Sequence, residues 1–188
     1  MISLDEVIRS LYGAYRLARF DASGLTFFNA TVAGFWRSFF AAALVAPLYL
    51  VLVMIRYGDS WEHVPLFRFL AIEIISYIIA WVAFPVIMAT VTKTIDRERH
   101  FIRFIVAYNW AGVLQNALYL PIIIFGSMGL LAEAGMNTLA LLAISLIMVY
   151  TWFITRTALD VTGAQAAGIV GLDFLISIFI NAVANGMI

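Results

Sequence analysis

The chain has 188 residues, 64% of them hydrophobic and 12% charged, with a mean hydropathy of +1.01. Soluble domains carry roughly 45–50% apolar and about 25% charged residues, so this composition sets a water-soluble globule aside. The formal net charge is zero and there is no cysteine, which leaves no basic cluster for nucleic acid and removes disulfides, thiol nucleophiles and thiolate metal sites.

Residues 3–20 open the chain with amphipathic helical spacing: Leu4, Ile8, Leu11, Tyr15 and Ala18 recur at helical intervals while Asp5, Glu6, Arg9, Arg16 and Arg19 take other faces. Ser3 followed by Glu6 is a capping-box pattern that starts such a helix. The early acidic residues and recurring arginines do not match a cleaved signal. Two placements fit: a helix lying in the membrane interface, arginines at the headgroups, or one packed on the cytoplasmic end of a bundle.

Five stretches follow, near 38–55, 67–91, 102–125, 137–155 and 164–186. Each has the length, about 18–25 residues, at which an apolar helix crosses a bilayer. They predict an all-α fold, a polytopic transmembrane helical bundle of five spans with an N-terminal amphipathic interfacial helix, forming one integral membrane domain over residues 1–188. Pro47, Pro85 and Pro121 fall one to each of the first three spans, where each removes a backbone donor and predicts a kink.

Glu73 lies about seven residues into the second span, roughly 10 Å deep, and Asp173 about ten residues into the fifth, near the bilayer centre. Ionisable residues at such depth are functional candidates by default. No basic residue is expected at matching depth, because Arg56 is read into the first loop and Arg68 and Arg103 near span ends. Asn109, Gln115 and Asn116 of the third span, with Asn181 and Asn185 of the fifth, can hydrogen-bond to these carboxyls or act as interhelical glue. The third span, the most polar, is expected to face the bundle interior. In the fifth, Gly163, Ala167 and Gly171 recur every four residues, a spacing that lets helices approach closely, within the bundle or between subunits. Asp173 lies about 200° around from Gly171 and points away from that seam.

The loops are short. Asp96, Arg97, Glu98, Arg99 and His100 form a mixed-sign run expected as a solvated turn. Gly126 to Asn137 forms an apolar third loop in this reading, with Glu133 its one charge. Nine lysines and arginines (Arg9, Arg16, Arg19, Arg37, Lys93, Arg97, Arg99, Arg103, Arg156) fall on the side of the N-terminus and two, Arg56 and Arg68, on the other. Positive loops stay inside, which predicts a cytoplasmic N-terminus and an extracytoplasmic C-terminus, in the inner or plasma membrane if the source is bacterial. Trp36 and Trp152 fall at inner interfaces and Trp61 in the first outer loop.

No nucleophile elbow, phosphate loop or dinucleotide fingerprint occurs, and the two histidines, His63 and His100, fall on opposite sides. Enzyme activity, a metal site and a cofactor are therefore not expected. Five spans, an amphipathic first helix and the patch Leu11-Tyr12-Gly13 ahead of the first span resemble the Yip family of small five-span proteins, with Ser10 and Ala14 in place of that family's aspartate and proline. The resemblance implies a protein acting through partner proteins or lipids, in its better-known members with vesicle trafficking and small GTPases, and carries over no site residue. The function expected is thus a scaffold or assembly factor, held by the lipid bilayer and a membrane-protein partner or a second copy. The alternative is a small transporter or ion-conducting subunit that uses Asp173 and Glu73.

Overall fold

A computed structural model describes residues 2–60 and 64–187. Seven α-helices follow in order: α1 (Leu4–Ala18), α2 (Val32–Ser38), α3 (Phe40–Ser60), α4 (Leu66–Thr94), α5 (Phe101–Ser127), α6 (Glu133–Leu159) and α7 (Gly163–Met187). Short 3-10 turns lie at Ala22–Phe27 and Glu98–His100, and no strand occurs among the described residues. Helices α2 and α3 run on as one stretch, and it and α4, α5, α6 and α7 are long and apolar enough to cross a membrane. Large apolar side chains such as Ile74, Ile78, Leu141, Leu146 and Phe179 face outward, the distribution a lipid environment demands.

The helices outrun the hydropathy windows. α3 continues to Ser60, which takes Arg56 out of the loop where the sequence reading put it. α5 reaches Ser127 and α6 starts at Glu133, so the expected third loop shrinks to residues 128–132. Apolar windows end where charge appears, whereas helices end where backbone groups find caps. Trp61 and His63 lie outside the described residues. α3, α4 and α5 continue through Pro47, Pro85 and Pro121.

Helix α5 is the hub, packing against α1, α2, α3 and α6 and more lightly against α4. Toward its N-terminal end Phe104, Ile105, Ala107, Trp110 and Ala111 are fully buried, joined by Leu17, Met88, Ile154 and Leu159 into one core. Around α5 the chain closes a ring, α3 on α5, α5 on α6, α6 on α7, and α7 on α4, with α4 only lightly against α3. The half of the bundle near α1 is therefore solid. Toward the far end, where Ser60 and Met187 lie, the middle of the ring is open.

Helix α1 starts as its capping box predicts, Ser3 Oγ accepting from the Glu6 amide at 3.2 Å. It packs on the 3-10 turn Ala22–Phe27, on α5 and on α6, burying Val7, Ser10, Gly13, Ala14 and Leu17, and the Tyr150 hydroxyl donates to the Ala14 carbonyl at 2.7 Å. The apolar stripe is split: Leu4 is 76% exposed, Ile8 58% and Tyr15 49%, while Leu11 packs against the core. Small residues took the docking role because they let two backbones meet closely. The helix then turns back under itself. Arg16 pairs with Asp21, and the Ser23 hydroxyl and amide with the Arg16 guanidinium hold the Asp21 carboxyl down at about 2, which keeps this clasp charged in any physiological medium.

The mixed-sign run between α4 and α5 does more than meet water. Arg97 Nε donates to the Asp160 carbonyl at 3.0 Å, His100 Nδ1–H to Leu159 at 2.8 Å and Arg103 Nε to Ala158 at 2.9 Å. These are the last carbonyls of α6, left without intrahelical donors and at the negative end of the helix dipole, beside Asp160 in the left-handed conformation (φ 57°). Arg103→Ala is expected to lower stability by about 1–2 kcal/mol, read as thermal unfolding in detergent, with Arg103→Lys intermediate.

Candidate functional site

The open middle of the ring is a cavity of about 410 Å³ to which all five membrane-length helices contribute. Its polar groups come in two clusters. In the first, Tyr49 and Arg56 share one face of α3, spaced two turns apart, and meet Glu73 of α4. The Tyr49 hydroxyl donates to Glu73 Oε2 at 2.6 Å, and Arg56 Nη1 lies 2.8 Å from Oε1, an ion pair off the line of a directed hydrogen bond. Arg56 Nη2 donates to Asn185 Oδ1 at 2.7 Å, which ties α7 to the same knot. Tyr77, one turn on from Glu73, stacks on Tyr49 with centroids 4.6 Å apart and donates to the Ala42 carbonyl. The expectation that Glu73 has no basic residue at its depth is thereby corrected: Arg56 lies on the last turns of α3, and a long side chain reaches back to the buried carboxylate.

The second cluster is centred on Asp173. Tyr108 of α5 donates to Asp173 Oδ1 at 2.8 Å, and no lysine or arginine pairs with this carboxyl among the described residues. Arg56 and Glu73 cancel, so Asp173 is the cavity's uncompensated ionisable group. Tyr49, Tyr77, Trp81, Tyr108 and Tyr119 also line the space. Aromatic faces carry negative potential, so rings and carboxyl together favour a cation.

The amide side chains divide. Gln115 lines the cavity and donates to Thr151 Oγ1 at 3.0 Å, tying α5 to α6. Asn116 and Asn181 also line it, each donating back to its own helix, to Gly112 and Ser177. Asn109 lies elsewhere, fully buried in the core, where it donates to Ser38 Oγ at 2.8 Å and joins α5 to α2. Of the candidate set, Glu73, Gln115, Asn116, Asp173 and Asn181 share the cavity and Asn109 does not. In the small-residue row of α7, Gly163 rests on Trp152, whereas Ala167 is exposed and a Cβ at Gly171 would meet nothing within 4 Å. Within the chain α7 packs through Ala166, Ile169 and Val170 instead.

Tyr49, Arg56, Tyr77 and Tyr108 are the site residues that sequence reasoning missed. A signal existed for the first two in their i, i+7 spacing on an otherwise apolar helix, but which carboxyl they would meet depends on how α3 and α4 cross.

No protein family, no curated protein and no solved structure matches this chain. The cavity is the ground for a functional reading.

Proposed function

We propose that this is a five-span integral membrane protein that binds a cation within the bilayer, and that it works as a small transporter or ion-conducting subunit. The observation that carries this reading is Asp173, an ionisable side chain midway along α7 that has no basic partner among the described residues and faces an aromatic-lined cavity. Tyr108 orients the carboxyl, while the Tyr49–Arg56–Glu73 knot braces the far end. A cation seated at Asp173 completes the missing ion pair and loses less on leaving water than it would in lipid alone.

Asp173→Asn is expected to keep the bundle folded and lower binding of tetramethylammonium, a simple organic cation, at least tenfold in equilibrium measurements on purified protein. A variant that loses its monodisperse elution profile would make Asp173 a structural residue; full retention of binding would remove it from the site.

The excess of lysine and arginine at the α1 end supports a cytoplasmic N-terminus and an extracytoplasmic C-terminus. Because the chain has no cysteine, single reporters are clean. Glu133→Cys is expected to react with a membrane-impermeant maleimide in intact cells and Glu98→Cys only after lysis; the reverse pattern inverts the topology.

A second reading, a scaffold that holds partner proteins or lipids, draws on α1. Its outer face carries Leu4, Ile8, Tyr12 and Tyr15 exposed, flanked by Arg9 and Arg19, the makeup of a helix that docks by one face and sinks the other into the headgroup boundary.

A further inference from the structure

Beside the polar cavity runs a second, apolar groove of about 460 Å³ between α4 and α7. Phe67, Ala71, Ile75 and Ile79 form one wall and Phe179 and Val183 the other. From Phe67 to Ile79 the α4 wall spans about 18 Å, slightly more than one leaflet of a hydrocarbon core roughly 30 Å thick. Three residues, Ser76, Ile180 and Ala184, line the groove and the cavity alike, so one layer of side chains separates them. Two of the three are small, which leaves Ile180 as the bulk of the partition.

We propose that the cavity takes its ligand sideways from the bilayer, through the α4–α7 seam at Ser76, Ile180 and Ala184. The ligand is an amphiphilic amine, with a cationic head at Asp173 and one alkyl chain in the groove. This rests on the cation-binding reading above and names the substrate class. Charge complementarity selects the head: Asp173 lacks a basic partner among the described residues, while Arg56 is engaged by Glu73 and Asn185, and Arg68, the charged residue of the groove, donates to the Met187 carbonyl at 2.8 Å. An anionic head would meet no free cation inside. The groove selects the tail, being apolar along its length and continuous with the cavity wall. A head small enough for the cavity can pass a partition in which a single isoleucine must turn, and it exchanges lipid for aromatic faces and a carboxyl without crossing bulk water.

The test is equilibrium binding of radiolabelled dodecyltrimethylammonium and tetramethylammonium to the full chain in nanodiscs, with empty nanodiscs subtracted. Wild type is expected to bind both, and Asp173→Asn to weaken both at least tenfold. Ile180→Trp, which thickens the partition, is expected to weaken the long-chain ligand at least tenfold more than it weakens tetramethylammonium. Ser76→Leu is expected to act in the same sense and carries the test if Ile180→Trp does not fold. Equal effects on both ligands, or none on either, overturn the lateral portal and leave the cation site standing. Long-chain binding that survives Asp173→Asn also overturns it, since the groove would then hold lipid without engaging the cavity. Wild type that binds neither ligand overturns the cation-binding reading itself.

Discussion

Arg56→Ala is expected to lower the stability of the bundle by about 3 kcal/mol, the low end of the cost of stranding one member of a buried ion pair. Glu73 is only 3% exposed at its side chain and Arg56 is its basic partner among the described residues, so alanine at position 56 leaves a carboxylate with the Tyr49 hydroxyl as its remaining described partner. The low end applies because Arg56 itself keeps about a third of its side-chain surface open, 35%. α7 also loses the Asn185 contact, and with it a tie across the mouth of the cavity. Arg56→Ala combined with Glu73→Gln should regain most of the loss, since the amide oxygen still accepts from Tyr49 and no charge is stranded. Thermal unfolding of the single and double variants in detergent gives the coupling directly. If Arg56→Ala melts with wild type, the ion pair does not hold α3, α4 and α7 together.

Gly24→Val carries an effect of similar size by an unrelated cause. A Cβ at Gly24 would lie 2.5 Å from the Gly13 carbonyl oxygen and 3.1 Å from the Leu17 amide nitrogen, both backbone atoms of α1 that cannot rotate aside. A Cβ at Gly13 would likewise lie 2.8 Å from the Gly24 oxygen, so the crossing is tight from both sides. Overpacking typically costs about 1–3 kcal/mol, and valine at so close a contact belongs at the top of that range. Lifting α1 also deprives the buried Tyr150 hydroxyl of its acceptor at Ala14. The expected readout is faster tryptic cleavage at Arg16 and Arg19 together with a lowered melting temperature, and Gly24→Ala should fall between valine and wild type. Unchanged cleavage would mean that α1 holds its place without this crossing.

Both variants touch features that sequence reading saw in outline and assigned to other roles. Gly13 belongs to the Leu11-Tyr12-Gly13 patch, yet its use became visible only when Gly24 was brought against it. The apolar stripe of α1 was legible as a helical period, but Leu4, Ile8 and Tyr15 turned out to face away from the bundle while Ser10, Gly13 and Ala14 dock. Hydropathy ranks residues by their cost in water, whereas helix docking selected the side that permits closest approach.

Legible in the residues alone were five helices of bilayer length, the all-helical class and the cap at Ser3. Each follows from local chemistry: an apolar run of bilayer length must satisfy its own backbone, and a serine three residues ahead of Glu6 accepts from a free amide of the first turn. Which polar groups meet followed from the packing of the helices. Arg56 found Glu73, Tyr108 found Asp173 and Asn109 left the candidate set for Ser38, because helix crossings bring together residues 17, 65 and 71 positions apart in the chain. Capping carried Arg56 past the point where hydropathy ends, and the ring of α3 to α7 gathered scattered carboxyls and tyrosines around one cavity.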